Sequence, residues 1–231
     1  MRFTTASMLS TLAAVLAVGA CNRSDGARAA TTTLTAEATN LTTGDTTLEQ
    51  RADRARIQGT PSAPVWVIEV SDFQCPYCKM WHDQTYPALK REYVDAGKVR
   101  LAYINFPIQG HQNAWPAAEA AMCAGAQEKF WPMQDALFNA QSQWENLQNP
   151  LPVFDSLATK IGVELASFNE CVSQQKMRPL IQADYDRARR AGVDATPSFV
   201  IGNTLLSGAQ PISEFRKAID EALAKQAKGA Q

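Results

Sequence analysis

The sequence predicts an α/β fold in which a small sheet is interrupted after its second strand by a helical domain. Three observations carry this. Residues 64–70 (PVWVIEV) are short, apolar and β-branched, and lead straight into a Cys-x-x-Cys and a helix. Residues 112–191 carry only helical patterning, cut into short pieces by prolines at 116, 132, 150, 152 and 179. A late pair of short strands around Gly202-Asn203 precedes a C-terminal helix. At 231 residues, 45% of them hydrophobic, the chain can build one good core and leave residues over at one end. A formal net charge of −1 argues against nucleic acid or a broadly anionic membrane surface as partner.

Met1 and Arg2 make a short charged start, and residues 8–20 (MLSTLAAVLAVGA) form an apolar run as long as a signal h-region but too short to span a bilayer. The run ends in Val18-Gly19-Ala20-Cys21, which resembles a bacterial lipobox with Val in place of the usual Leu. Residues 1–20 are therefore read as a signal peptide and Cys21 as the lipidated first residue of the mature chain. Ordinary cleavage after Ala27-Arg28-Ala29-Ala30 is the alternative. Either route exports the protein to a compartment that permits disulfides. The expected location is the bacterial cell envelope, facing the periplasm on a lipid anchor, or free in the periplasm under the alternative. Residues 21–50, rich in Thr, Ala, Ser and Gly without a sustained period, read as a flexible tether reaching about 30 Å.

The folded part begins near Leu48 and divides into residues 51–111, a helical insertion at 112–191 and a closing part at 192–231. In the first part a helix over 76–96 follows the strand at 64–70, and a second strand runs over 99–106 (VRLAYINF). In the last part strands at 198–201 and 204–207 flank the turn, and a helix covers 212–227. The aromatic residues Trp81, Trp115, Phe130, Trp131 and Phe138 read mostly as packing between insertion and sheet.

Cys75 follows strand and turn, and Cys78 lies one turn into the next helix. That puts the Cys75 sulfur at a helix N-terminus, where free N–H groups and the macrodipole favour an anion. A thiol of pKa about 8.5 drops to roughly 3.5–7.5 in such a place. Pro76 suits the first helical turn because its missing N–H would have had no partner there. The spacing lets the two sulfurs bond, with Cys75 exchanging with substrate and the deeper Cys78 resolving the mixed disulfide. A zinc site needs further ligands, and His82, His111, Cys123 and Cys171 form neither a second Cys-x-x-Cys nor a Cys-x-x-His. A purely structural bridge across two residues would add little stability. The pair is itself a redox centre, so neither a metal nor an organic cofactor is expected.

The segments VWVIEVSDFQCPYCKM (65–80), CAGAQEKFWPMQDALF (123–138) and GVDATPSFVIGN (192–203) resemble, in order and spacing, the DsbA-like thiol–disulfide oxidoreductases of the thioredoxin superfamily. The resemblance runs from about residue 55 to the C-terminus. It implies a thioredoxin-like fold with an inserted helical domain. It implies that Pro197 is cis and faces the cysteines, and that Thr196 presents its backbone to substrate peptides; a turn proline before a strand is the plainer reading. It also matches Glu69 to a buried acidic residue beneath the active site that shuttles the proton of the resolving thiol, against an edge glutamate in water. Tyr77 departs from the family pattern, which has His there. Tyr cannot supply a positive charge between the cysteines, so a potential milder than the roughly −120 mV of DsbA is expected. His82 reads as an exposed helix residue rather than a catalytic base.

Cys123 and Cys171 both fall in the insertion. In an exported chain one structural disulfide between them is expected, worth about 4 kcal/mol for so long a loop; two separate core cysteines are the alternative. The expected activity is disulfide exchange with cysteine-containing exported proteins, as a dithiol oxidase reoxidised by a membrane redox partner, by a monomeric enzyme. A reductase or isomerase reverses the electron flow, and a non-catalytic peptide-binding chaperone would use only the scaffold.

Overall fold

The computed structural model describes residues 47–229; the signal-type segment 1–20, the lipidation candidate Cys21 and the chain through residue 46 lie outside them. Helix α1 (Leu48–Ala55) is opened by a capping box: the Thr47 hydroxyl accepts the Gln50 N–H at 3.2 Å, and Gln50 reaches back to the Thr47 N–H. Residues 48–50, the end of the stretch read as a tether, are thus the first turn of a helix.

Strands β1 (Ile57–Gln58), β2 (Val65–Ser71), β3 (Val99–Asn105), β4 (Ser198–Ile201) and β5 (Thr204–Ser207) form one sheet in the order β1-β3-β2-β4-β5. The central strand β2 runs parallel to β3 and antiparallel to β4. β1 was not legible in the sequence because two residues carry no periodicity. Its approach to β3 is close enough that a Cβ on Gly59 would sit 2.5 Å from the Val99 carbonyl oxygen, and Gly59 has φ +102°.

The single helix expected over 76–96 is three pieces: α2 (Pro76–Gln84), α3 (Tyr86–Leu89) and a π-helical turn at Lys90–Val94. Thr85, at φ −113°, interrupts it, and Pro87 just beyond has no N–H to continue the ladder. Between β3 and β4 lie α4 (Ala114–Gly125), α5 (Phe130–Asn139), α6 (Gln141–Trp144), α7 (Leu151–Lys160), α8 (Leu165–Ser173) and α9 (Arg178–Arg190), and α10 (Ile212–Gly229) follows β5. Pro152 and Pro179 stand in first turns, so they start helices rather than merely breaking them. This is the α/β fold with a helical insertion that the sequence predicts. No helix among the described residues is long and apolar enough to cross a membrane.

Two large packed clusters and a smaller one around Val70, Phe106, Ala188 and Val193 hold the molecule. Val65, Val67, Val99 and Leu101 of the central strands bury with Trp81, Leu89, Phe215 and Ile219. The insertion has its own core, in which alanines of α4 let Phe130, Phe138 and Phe168 pack close, and Phe73 and Tyr103 join it from the sheet side. Trp131 touches both large clusters. Full burial of each such large apolar side chain contributes about 1.5–3 kcal/mol. Cys123 in α4 is bonded to Cys171 in α8, with Cα atoms 5.8 Å apart and a separation of 48 positions in sequence.

Candidate active site

The site grows from the end of β2. Asp72 accepts the Cys75 N–H on its carbonyl at 3.1 Å and turns the chain into α2. Cys75 is the N-cap, in extended backbone, with Pro76 next and no side-chain cap. The free N–H groups of Tyr77 and Cys78 face the Cys75 sulfur. Both cysteines are free thiols; Cys75 is 4% exposed and Cys78 fully buried. The Cys78 thiol hydrogen-bonds to Cys75 and, with help from the Thr196 contact and those N–H groups, outweighs burial. Cys75 falls from 9.0 to about 6. Burial and the neighbouring Cys75 push Cys78 well above the ordinary thiol value. The asymmetry is the one the helix position predicts, with a reactive outer sulfur and a reluctant inner one.

Strand pairing brings the distant Thr196-Pro197 to this place. Ser198 pairs with Val70, so the residues just before β4 land beside the end of β2. The Cys75 thiol lies 3.5 Å from the Thr196 carbonyl oxygen, and the Thr196-Pro197 peptide is cis. Tyr77, at 61% exposure, is the large side chain standing free on the rim.

Glu69 pairs across β2 with Tyr103 on one side and Phe199 on the other and is fully buried. Neither carboxyl oxygen makes a hydrogen bond of good geometry. Ser71 lies near enough to both Glu69 and Cys78 to favour their charged forms, although its hydroxyl makes no hydrogen bond of good geometry with either. Desolvation wins at Glu69 and raises its pKa from 4.5 to about 8. The folded chain therefore keeps this proton up to about pH 8, whereas the unfolded chain releases it near 4.5. Stability is fully present below 4.5 and is lost as pH rises to about 8. Glu69→Gln, with no proton to lose, should gain on the wild type across that window by on the order of 3–5 kcal/mol. Urea midpoints of both proteins at about pH 5 and about pH 9 measure this. An unchanged gap between them would rule out a protonated Glu69.

Other residues of the site have no plain signal in the sequence. Gln141 of α6 donates one amide to the Phe73 carbonyl at 2.8 Å and to the Cys75 carbonyl at 3.2 Å, tying the insertion to the cysteine turn. Asp72, three residues before Cys75, accepts the Gln74 N–H, the Ile108 N–H and His111 Nδ1 at 2.7, 2.8 and 2.8 Å. Its own N–H points at Cys78 Sγ, 3.5 Å away. His82 is corrected: it is 7% exposed, not a surface residue. The insertion covers it, with Phe138 over the ring and Asp135 on Nε2 at 2.8 Å, and Asp83 is on Nδ1. A covering helix supplied from residues 130–139 is invisible to a reading of α2 alone. Among the described residues no group of three or more His, Cys, Asp or Glu could hold a metal ion.

Residues 51–221 match a protein-family model described as thioredoxin. The chain is 34% identical over 173 residues to the probable disulfide bond formation protein D of Bacillus anthracis, covering 72% of this chain and 77% of that one. Its structure is similar to that of alpha-DsbA1 of Wolbachia pipientis, with TM-score 0.68 and 25% identity over 76% of this chain and 94% of that one. The oxidised BdbD of Bacillus subtilis shares the fold, with TM-score 0.67 and 21% identity over 73% and 92% of the two chains.

Proposed function

Since the chain belongs to the thioredoxin family and is a DsbA-like protein thiol–disulfide oxidoreductase, we propose that it is a dithiol oxidase of the bacterial cell envelope acting on cysteine-containing exported proteins. The observation that carries this is the Cys75 thiol at about 6, set at a helix N-terminus against a buried Cys78 of raised pKa. An acidic outer thiol stabilises the reduced pair, and a stabilised reduced form makes a stronger oxidant.

In the proposed cycle a substrate thiolate attacks Cys75 Sγ of the oxidised pair. The Cys75–Cys78 bond breaks, and its electrons leave on Cys78. Because Cys78 holds a proton tightly, its thiolate takes one, and protonated Glu69 is the proposed donor, with the nearby Ser71 hydroxyl proposed as the relay. The second substrate thiolate attacks the substrate sulfur of the mixed disulfide and expels Cys75, which leaves readily as a thiolate. The substrate has lost two electrons to the pair. The Thr196 backbone, beside Cys75, is proposed to pair with the substrate chain, with Pro197 holding it there. A membrane redox partner then withdraws the two electrons. The lipobox-like Val18-Gly19-Ala20-Cys21 supports an anchor at Cys21, and the enzyme is proposed to act as a monomer.

Direction is tested by trapping thiols in intact cells with an alkylating reagent and reading the shift of Cys75 and Cys78 on a gel. A mostly oxidised pair is expected; a mostly reduced pair would overturn the oxidase reading in favour of a reductase or isomerase.

A further inference from the structure

Tyr77 leaves no charge between the cysteines, yet a charged side chain reaches the pair from elsewhere. His111 sits on the loop between β3 and α4, 28% exposed, with Nδ1 held by the Asp72 carboxylate at 2.8 Å. Asp72 is itself threaded into the redox turn: its carbonyl takes the Cys75 N–H, and its N–H points at Cys78 Sγ. The same carboxylate accepts two backbone N–H groups, so its position is fixed. The ring lies within electrostatic range of the Cys75 sulfur.

We propose that His111, oriented by Asp72, is a cation that helps stabilise the Cys75 thiolate, and that the Asp72–His111 pair tunes the redox potential of the centre. The inference rests on the thiol–disulfide reading of the cysteine pair and adds a residue to it.

A buried Asp72 carboxylate this close to Cys75 would by itself oppose the thiolate, since like charges raise each other's pKa. The imidazolium bonded to Asp72 offsets that charge. Three groups face His111: Asp72 from the redox turn, Cys75 from α2, and Glu145 from the turn after α6. The Asp72 hydrogen bond and the attraction of all three outweigh partial burial and hold the ring above its ordinary pKa of 6.5. All are acids, so each favours the charged ring. His111 is thus positive below its raised pKa and loses its hold on the thiolate as pH rises through it. The contribution adds to the stronger ones from Cys78, Thr196 and the helix N–H groups, and the ring is partly exposed to water, so a modest effect is expected.

The test uses the full chain and two variants. His111→Gln is neutral at every pH and near in size; His111→Ala removes the ring altogether. The Cys75 pKa is read from the pH dependence of thiolate absorbance, and the potential from equilibration with glutathione. Both variants should raise the Cys75 pKa by roughly 0.5–1 unit. Near neutral pH that destabilises the reduced form about three- to five-fold, or about 14–21 mV toward a more reducing potential. The wild-type difference should shrink in high salt and as pH rises past the His111 titration. A Cys75 pKa and potential unchanged in either folded variant would overturn the proposal while leaving the oxidoreductase reading intact. Failure of the wild type to exchange disulfides at all would instead sink that reading.

Discussion

Cys78→Ser is expected to stop turnover and leave substrate proteins covalently attached at Cys75. The Cys75 thiolate of this variant still attacks a substrate disulfide, breaking it and forming a mixed disulfide. Nothing then replaces the Cys78 sulfur, the group that would displace the substrate. A serine hydroxyl is nearly the same size and can keep the contact with the Asp72 N–H, so the fold should survive. Oxidative refolding of a reduced substrate should fall by a factor on the order of 10³ or more, as for loss of a covalent catalytic group. Non-reducing gels should show high-mass adducts that vanish with reductant and are absent from Cys75→Ser/Cys78→Ser. Cys75→Ala should abolish both turnover and adducts. Activity surviving Cys75→Ala in refolding and in insulin reduction would end the enzymatic reading at these residues.

Replacing Cys123 and Cys171 together by alanine is expected to cost about 4 kcal/mol of stability, from the chain entropy released when a loop of 48 residues is no longer closed. For a chain of this size that lowers Tm by roughly 8–16 °C. The bridge joins α4 to α8 at positions 1% and 2% exposed, inside the insertion's own core, and it supplies no group to the Cys75–Cys78 exchange. The double variant should therefore exchange disulfides normally per folded molecule while melting early. Denaturant titration and activity at low temperature separate the two effects. A loss below about 1 kcal/mol would show that the helices hold together without the bond.

The parts of the site that were legible are those made by local rules. The strand at 65–71, Pro76 in the first helical turn and the cysteine spacing are each readable within a few residues, because strand burial, helix capping and disulfide reach all act over that distance. Thr196-Pro197 was legible for another reason: its likeness to a family pattern, not any local force, connected it to residues 121 positions earlier. The lone glutamate in an apolar strand stood out by contrast, although only its neighbours across the sheet decide that both its oxygens are cut off from water.

What the chain by itself determined is the arrangement: two sulfurs one helical turn apart at the end of a central strand, from which the proposed reactive thiol and its partner follow. The tertiary structure decided how far each group is shifted from its ordinary behaviour. His82 is buried because α5 closes over it, and Gln141 grips the Cys75 carbonyl because α6 docks there. His111 meets Asp72 because the loop after β3 folds back over the redox turn. Desolvation and Coulomb interaction depend on distance through space and on who excludes the water. Neither quantity is carried by spacing along the chain, so the proposed redox pair is written in sequence and its tuning is written in packing.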